Sequence, residues 1–227
     1  QVRSVIERRV RDRLPAAYLT HEAWLGEHRF YVDERVLVPR SFIAELLRDD
    51  LAPWVEDPDA VTDILDLCTG SGCLAVMAAD AFPNAKVDAV DVSPDALRVA
   101  RRNVDDYHFE DRITLVQSDL FEALNNKRYD IILCNPPYVT DEAMAKLPKE
   151  YQHEPMLALA GGADGMTVVK KLARQARGHL KRGGLLFVEV GDGRREVERV
   201  LADVPMTWLT TSAGDDMVFM ARQEELP

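Results

Sequence analysis

Cysteine is scarce in this chain of 227 residues: Cys68, Cys73 and Cys134 are the only three. An odd number with no Cys-x-x-Cys pair argues against a disulfide framework and a zinc site, and fits the reduced thiols of a cytoplasmic protein. Long apolar runs are missing as well. Although 47% of the residues are hydrophobic, no stretch approaches the ~20 residues of a membrane span, so no membrane partner is expected. The N-terminus, Gln1-Val-Arg-Ser-Val-Ile-Glu-Arg-Arg9, is charged where a signal peptide would be apolar. Without an initiator Met the chain reads as a fragment. Positive charge is short too: 28 Lys and Arg stand against 39 Asp and Glu, a net charge of −11. Broad binding to nucleic acid needs a basic footprint, so nucleic acid is disfavoured as substrate, whereas a basic protein partner would be attracted. Repeats and low-complexity tracts are absent, and the length suits one large domain with a small appendage.

Two blocks are nevertheless apparent. In residues 1–39, Val2, Ile6 and Val10 fall at helical spacing, continued by Leu14, and Pro15 ends the helix. So short a helix is marginal alone and is expected to pack on something. Ala23 to Val38 reads as two or three short strands with turns at Gly26-Glu27 and Asp33-Glu34. In residues 40–227, Ser41 is a plausible N-cap for a helix from Phe42 to Leu51. Strands then alternate with helices, the mark of a parallel sheet with crossovers. The pattern predicts strands at 62–67, 85–91, 113–117, 130–134 and 184–190, and helices at 72–82, 94–106, 165–181 and 193–203. The end departs from it: Met206 to Thr211 and Met217 to Ala221 flank Ser-Ala-Gly-Asp-Asp, leaving room only for a hairpin.

The strand tips carry the chemistry. Asp130-Ile-Ile-Leu-Cys-Asn-Pro-Pro-Tyr138 is an apolar strand that cannot continue, because Pro136 and Pro137 have no N–H and hold φ near −65°. The stiff bend offers acceptors, the Asn135 side-chain oxygen and the Pro136 carbonyl, with the Tyr138 ring beside them. A planar NH2 group, from a side-chain amide or a nucleobase amine, fits such a place. The bland alternative is a strand that simply ends, with Tyr138 in the core. None of the five His residues lies near this stretch or forms a metal-ligand pair. Upstream, Ile64-Leu-Asp-Leu-Cys-Thr-Gly-Ser-Gly72 is a strand running into a glycine turn. Asp66, Cys68, Thr69, Gly70, Ser71 and Gly72 surround a place where backbone can approach a ligand closely. Gly70-Ser-Gly-Cys-Leu-Ala75 formally satisfies the dinucleotide fingerprint, with Asp91 at the distance suited to ribose hydroxyls. S-adenosylmethionine is the favoured cofactor instead, because Asp66 precedes the glycines, where it can orient the loop and an ammonium, and nothing downstream suggests hydride chemistry. Asp91 and Val92 follow the second strand. Asp119 and Leu120 follow the third, suited to an adenine amine and ring.

Asp-Leu-Cys-Thr-Gly-Ser-Gly followed by Asn-Pro-Pro-Tyr resembles the HemK family of protein-glutamine methyltransferases, and the likeness runs from about Leu14 to the end. It implies a class I S-adenosylmethionine-dependent methyltransferase, an α/β, Rossmann-like fold whose mostly parallel seven-stranded sheet ends in an antiparallel hairpin. Residues 1–39 would then be the remnant of a substrate-recognition part, and 40–227 the catalytic domain. Asn135, Pro136, Pro137 and Tyr138 would form the catalytic turn. Val38-Pro-Arg-Ser41 and Tyr151-Gln-His-Glu-Pro155 are similar to the branch that modifies large-subunit ribosomal protein three, with a peptide release factor as the alternative substrate. These two segments are the expected walls around the substrate. An adenine N-methyltransferase of DNA or RNA would use the same acceptor turn. Base flipping needs a basic channel, and the one candidate, Lys170, Lys171, Arg174, Arg177, Lys181 and Arg182, reads as a solvated helix surface. A non-catalytic binding module would keep the fold without the acceptor turn.

Overall fold

The computed structural model describes residues 2–227, with side chains from Val5 onward. It begins with helices α1 (Val2–Asp12) and α2 (Ala16–Thr20), the hairpin of β1 (Ala23–Leu25) and β2 (His28–Phe30), and a short helix α3 (Ile43–Leu47). Alternation follows: β3 (Asp63–Leu67), α4 (Cys73–Ala81), β4 (Lys86–Asp91), α5 (Pro94–Asp106), β5 (Ile113–Gln117) and β6 (Tyr129–Cys134). An excursion of β7 (Val139–Thr140), α6 (Asp141–Met144) and β8 (Ala160–Gly162) leads to α7 (Thr167–His179), β9 (Leu180–Glu189) and α8 (Arg194–Val200). The chain finishes with β10 (Thr207–Thr211) and β11 (Gly214–Arg222).

Seven strands form one sheet in the order β10-β11-β9-β6-β3-β4-β5. β3, β4, β5, β6 and β9 run parallel, and β11 pairs antiparallel with β9 and β10. The apolar runs form the central strands because helices cover both faces. Alternation sorts their side chains. Ile64, Val87, Ala89, Ile131, Leu133, Leu185 and Phe187 face α3 and α4, in one core with Ile43, Leu47 and Val76. Leu65, Leu67, Val90, Ile132, Cys134, Leu186 and Val188 face α7, in a second core with Val169 and Leu172. Helix α4 is apolar nearly all round, with Leu74 through Ala79 buried, as a helix held between sheet and neighbours must be. Ser93 caps α5, its hydroxyl oxygen accepting from the Ala96 N–H at 3.2 Å, with Pro94 at the first helical position.

The N-terminal part differs from expectation at both of its helices, and of the two or three strands expected it forms two. Helix α1 offers Ile6 and Val10 to solvent, and it is fastened by polar contacts instead. Arg9 and Arg13 both pair with Glu150, and the Asp12 carbonyl meets His153 Nε2 at 2.9 Å. The Val2 side chain of the predicted apolar face lies outside the described residues. Val36 to Val38 form no third strand, because side chains already satisfy their backbone: the Tyr18 hydroxyl donates to the Val36 carbonyl, and the Val38 N–H donates to Glu154. Helix α3 stops at Leu47, well short of Leu51: Asp50 and Leu51 turn to positive φ ahead of Pro53. The two-residue turn Gly26-Glu27 does form, between the paired Leu25 and His28. The segment packs through Tyr18, Ala23, Val32 and Val36 onto Ala96 and Val99 of α5.

Candidate active site

β3 and β6 are neighbours, with Leu67 opposite Cys134, so the glycine turn and the proline turn leave the same edge side by side. After β3, Cys68, Gly70 and Gly72 all have positive φ (59°, 55° and 79°). The turn is tied to the next strand by Thr69 N–H donating to the Val90 carbonyl and Gly70 N–H donating to Asp91 Oδ2, both at 2.9 Å. Asp91 Oδ1 accepts from the Ser93 N–H at 2.9 Å. Burial raises the Asp91 pKa, and these N–H donors work against that rise. Each oxygen of the carboxylate retains lone-pair capacity for a ligand hydroxyl. Asp66 is fully buried; its Oδ2 accepts from the Thr69 hydroxyl at 2.5 Å, while Oδ1 has no hydrogen-bond partner among the described residues. Burial pushes its carboxyl up to about 7.

A cavity of about 280 Å³ opens at this edge. Its wall includes Cys68 and Gly70 from the glycine turn, Asp91 at the end of β4 with Val92 and Ser93 after it, Asp119 and Leu120 after β5, and Asn135 and Pro137 after β6. Eight of the predicted site residues are thus brought together: Cys68, Gly70, Asp91, Val92, Asp119, Leu120, Asn135 and Pro137. Six are not on the wall. Asp66, Thr69 and Ser71 are buried within the glycine turn, and Gly72 ends the turn as the N-cap of α4. Pro136 is buried. Tyr138 is half-buried against backbone, where a Cβ added to Gly191 would lie 2.7 Å from its ring and one added to Gly165 would strike its carbonyl oxygen. Burial raises the Tyr138 pKa strongly, so the phenol stays protonated. Asp119 is already engaged, its Oδ2 receiving Lys171 Nζ at 2.6 Å.

That contact also revises the basic surface. Lys170 pairs with Asp164, Lys171 with Asp119 and Glu122, and Arg177 donates to the Leu226 carbonyl. Lys181 and Arg182 lie on β9 and not on the helix, and Lys181 bridges Asp63 and Asp130. The predicted helix face is therefore spread over two elements, with its three lysines in ion pairs.

The two expected substrate walls are joined. Arg40 forks onto Glu154, Nη1 to Oε1 at 2.7 Å and Nη2 to Oε2 at 2.5 Å, with its guanidinium 4.7 Å from the centre of the Tyr151 ring. Burial alone would lower the Arg40 pKa, but the Glu154 pair holds it raised. Pro155 belongs to an expected wall, whereas Arg35, Val36, Leu37, Leu157, Ala158, Asn103 and Glu189 were missed in the sequence. Arg35, Val36 and Leu37 line the cavity from the N-terminal segment, and Pro155, Leu157 and Ala158 line it from the excursion. Asn103 donates to the Ser71 and Tyr31 carbonyls, at 2.8 and 3.0 Å, and accepts from the Tyr31 N–H at 2.8 Å. Its signal was a polar residue on the apolar face of α5. Glu189, at the tip of β9, is buried with Ser41 and Phe42 as donors. Its signal was an acid ending an apolar strand.

Comparison with known proteins agrees with this arrangement. Residues 49–150 match the model of the methyltransferase small domain. A methyltransferase structure from Pyrococcus furiosus superposes with a TM-score of 0.62, at 18% identity, over 98% of this chain and 97% of that one, which shows the fold. The ribosomal protein uL3 glutamine methyltransferase of Burkholderia pseudomallei is 56% identical over 233 residues, covering all of this chain and 76% of that protein. The protein of the same name from Bordetella pertussis is 56% identical over 226 residues, with the same coverage. Identity at that level along its whole length means that the chain belongs to the ribosomal protein uL3 glutamine methyltransferase family.

Proposed function

We propose that this protein methylates the side-chain amide nitrogen of a glutamine in ribosomal protein uL3, with S-adenosylmethionine as donor, in the cytoplasm. The observation that carries the reading is one continuous cavity wall, with Gly70 and Asp91 on one side and Asn135 and Pro137 on the other. A donor held on the first side meets an amide held on the second.

The lining suits S-adenosylmethionine. Gly70 has open space where a side chain would project, so ligand can lie against its backbone. Asp91 is placed for ribose hydroxyls, Val92 and Leu120 for an apolar ring, and the unpartnered Asp66 oxygen marks a buried negative site beneath the turn for an ammonium. When bound, the cofactor supplies a methyl group already activated by a sulfonium. The protein must then make an amide nitrogen behave as a nucleophile, although complete loss of amide resonance costs ~18–20 kcal/mol. The Asn135 side-chain oxygen and the Pro136 carbonyl accept the two NH2 hydrogens and favour a nitrogen that is pyramidal and partly positive. Each such bond is worth roughly 1.5–3 kcal/mol. Holding the nitrogen in line contributes much of the remainder. One of the two bonded hydrogens leaves as a proton after transfer, and the adjacent acceptors stabilise it until then.

The net charge of −11 favours encounter with a basic ribosomal protein. The Arg40–Glu154 clamp makes the segments at 38–41 and 151–155 one wall, which supports their role in selecting the chain that bears the glutamine. The test offers purified uL3, release factor, DNA and RNA separately with labelled methyl donor, and locates the label by mass spectrometry. Label on a uL3 glutamine is expected. A higher kcat/KM on release factor would reassign the substrate, and label in nucleic acid would reassign the reaction.

A further inference from the structure

The last parallel pair between β6 and β9 is Cys134 opposite Val188. One residue further on come Asn135, just past the end of β6, and Glu189, the last residue of β9. Both belong to the face of the sheet that carries Leu133 and Phe187 two residues earlier. Glu189 is 1% exposed. Its Oε2 accepts from the Ser41 hydroxyl at 2.6 Å and the Phe42 N–H at 2.8 Å. Both of these donors go to one oxygen. The Ile43 N–H and the Asn135 side chain act on this carboxylate as further donors, against the upward push of burial.

The chemistry of the two groups settles which way the amide turns. An ionised carboxylate only accepts, whereas an Asn amide donates at one end and accepts at the other. Beside Glu189, Asn135 has to turn its NH2 inward, and its carbonyl oxygen then faces the cavity that Asn135 lines. Turned the other way, it would set an oxygen against a carboxylate and present a donor to a substrate that is itself a donor. A buried carboxylate is expensive to keep unless it is fully used. We propose that Glu189 is a positioning residue that fixes the amide orientation of Asn135, so that the turn presents an acceptor to the incoming NH2 group. The part concerning the substrate rests on the glutamine-methylation reading; the orientation itself does not.

Glu189→Gln tests the idea with almost no change of shape. The new amide oxygen can take the Ser41 and Phe42 donors, but its NH2 then meets the Asn135 NH2. Asn135 must turn over, and a donor faces the substrate. Calorimetry should show S-adenosylmethionine affinity within about twofold of wild type, while kcat on purified uL3 falls about 30-fold or more and KM changes little. Adding Asn135→Asp supplies acceptors at both ends: the amide introduced by Glu189→Gln donates to one, and the other faces the substrate. The double variant should recover about tenfold over Glu189→Gln, whereas Asn135→Asp alone, with two facing carboxylates, should be poor. Thermal melting reads the pair without substrate, since Asn135→Asp should lower the midpoint and Glu189→Gln in the same chain should restore it. Near-normal kcat for Glu189→Gln, or a melting cycle in which the two changes simply add, overturns the proposal. Coupled melting in a protein that methylates no glutamine would uphold the orientation and overturn the functional reading instead.

Discussion

The two turns at the cofactor edge solve opposite problems with opposite residues. After β3 the chain needs freedom: Gly70 and Gly72 take positive φ, fold the backbone onto β4 and begin α4. After β6 it needs stiffness: Pro136 and Pro137 hold φ and remove two N–H groups, so the turn has acceptors and few donors. The first turn is tied to the Asp91 carboxylate, which lines the cavity, and the second brings the Asn135 side-chain amide to it. On the proposed function, the first would receive a ligand that mixes hydroxyls with charge, the second a group that can only donate. Two neighbouring strands of the same apolar composition thus acquire different roles from the few residues that follow each.

The comparison breaks most sharply at Asn135. Asn135→Ala removes the side-chain acceptor and leaves the glycine turn alone. Turnover should fall on the order of 100-fold or more, as for loss of one transition-state hydrogen bond. S-adenosylmethionine affinity by calorimetry should stay within about twofold. A single-turnover rate near that of wild type would remove Asn135 from the chemistry. Asp91→Ala is the counterpart on the other turn. It should weaken cofactor binding by about 2–3 kcal/mol, roughly 30- to 150-fold, with kcat at saturation little changed. Because Asp91 also holds the Gly70 and Ser93 N–H groups, part of that loss should appear as a lower melting midpoint without ligand.

The next effect in size belongs to Asp66, buried beneath the glycine turn. Its carboxyl is pushed up to about 7 because burial disfavours the charge. A raised acid pKa means that the folded state prefers the proton. The stability associated with Asp66 is therefore complete below about pH 4, and is lost progressively as pH rises towards 7. Asp66→Asn keeps an acceptor for the Thr69 hydroxyl and removes the ionisation. The variant should be more stable than wild type by about 2 kcal/mol at pH 8, and no more stable at pH 4. Saturating S-adenosylmethionine should narrow the gap at pH 8 if its ammonium neutralises the carboxylate. Parallel melting curves that ignore pH would show that the buried group does not titrate in this range.

The core of this arrangement was legible because its signals are local. Apolar runs gave β3, β4, β5 and β6 nearly to the residue, and helix α5 was read as 94–106, as found. The hairpin of β10 and β11 was legible from the absence of room for a helix. What escaped depends on partners far away in sequence. Arg40 and Glu154 meet across 114 residues and Ser41 and Glu189 across 148, and no spacing rule joins them. Val36 to Val38 have strand composition but lack a strand partner, their backbone being taken by Tyr18 and Glu154. The excursion from β7 to β8 carries no periodicity, although Pro155, Leu157 and Ala158 bring it to the cavity. One usable signal was overlooked. On the face with α3 and α4, β9, β6, β3 and β4 each carry one polar residue near the tip, Glu189, Asn135, Asp66 and Asp91, while on the opposite face the tips carry Val188, Cys134, Leu67 and Val90. Parity counting along each apolar run would have picked out all four.

The mildest test compares two glycines, one behind each turn. A Cβ on Gly191 would lie 2.7 Å from Tyr138 Cε2 and 3.1 Å from Cζ. A Cβ on Gly72 would lie 3.2 Å from Ala100 Cβ and 3.3 Å from Ala100 Cα. Both residues have positive φ, 52° and 79°, so alanine adds about 1 kcal/mol of strain at either place. The neighbours differ in what they can do. Tyr138 is a side chain on a loop and can shift, which relieves the contact but moves the ring beside the acceptor turn. Ala100 belongs to helix α5, so the adjustment at Gly72 must pass to the glycine turn and its ligand surface. Gly191→Ala should therefore lower kcat by about tenfold with cofactor affinity intact. Gly72→Ala should weaken cofactor binding by about tenfold, with kcat at saturating cofactor close to wild type. Measuring both constants for both variants is decisive, because the prediction is the crossing of the two effects. If each variant lowers kcat and affinity alike, the two turns are one mechanical unit, and their division into a cofactor side and an acceptor side fails.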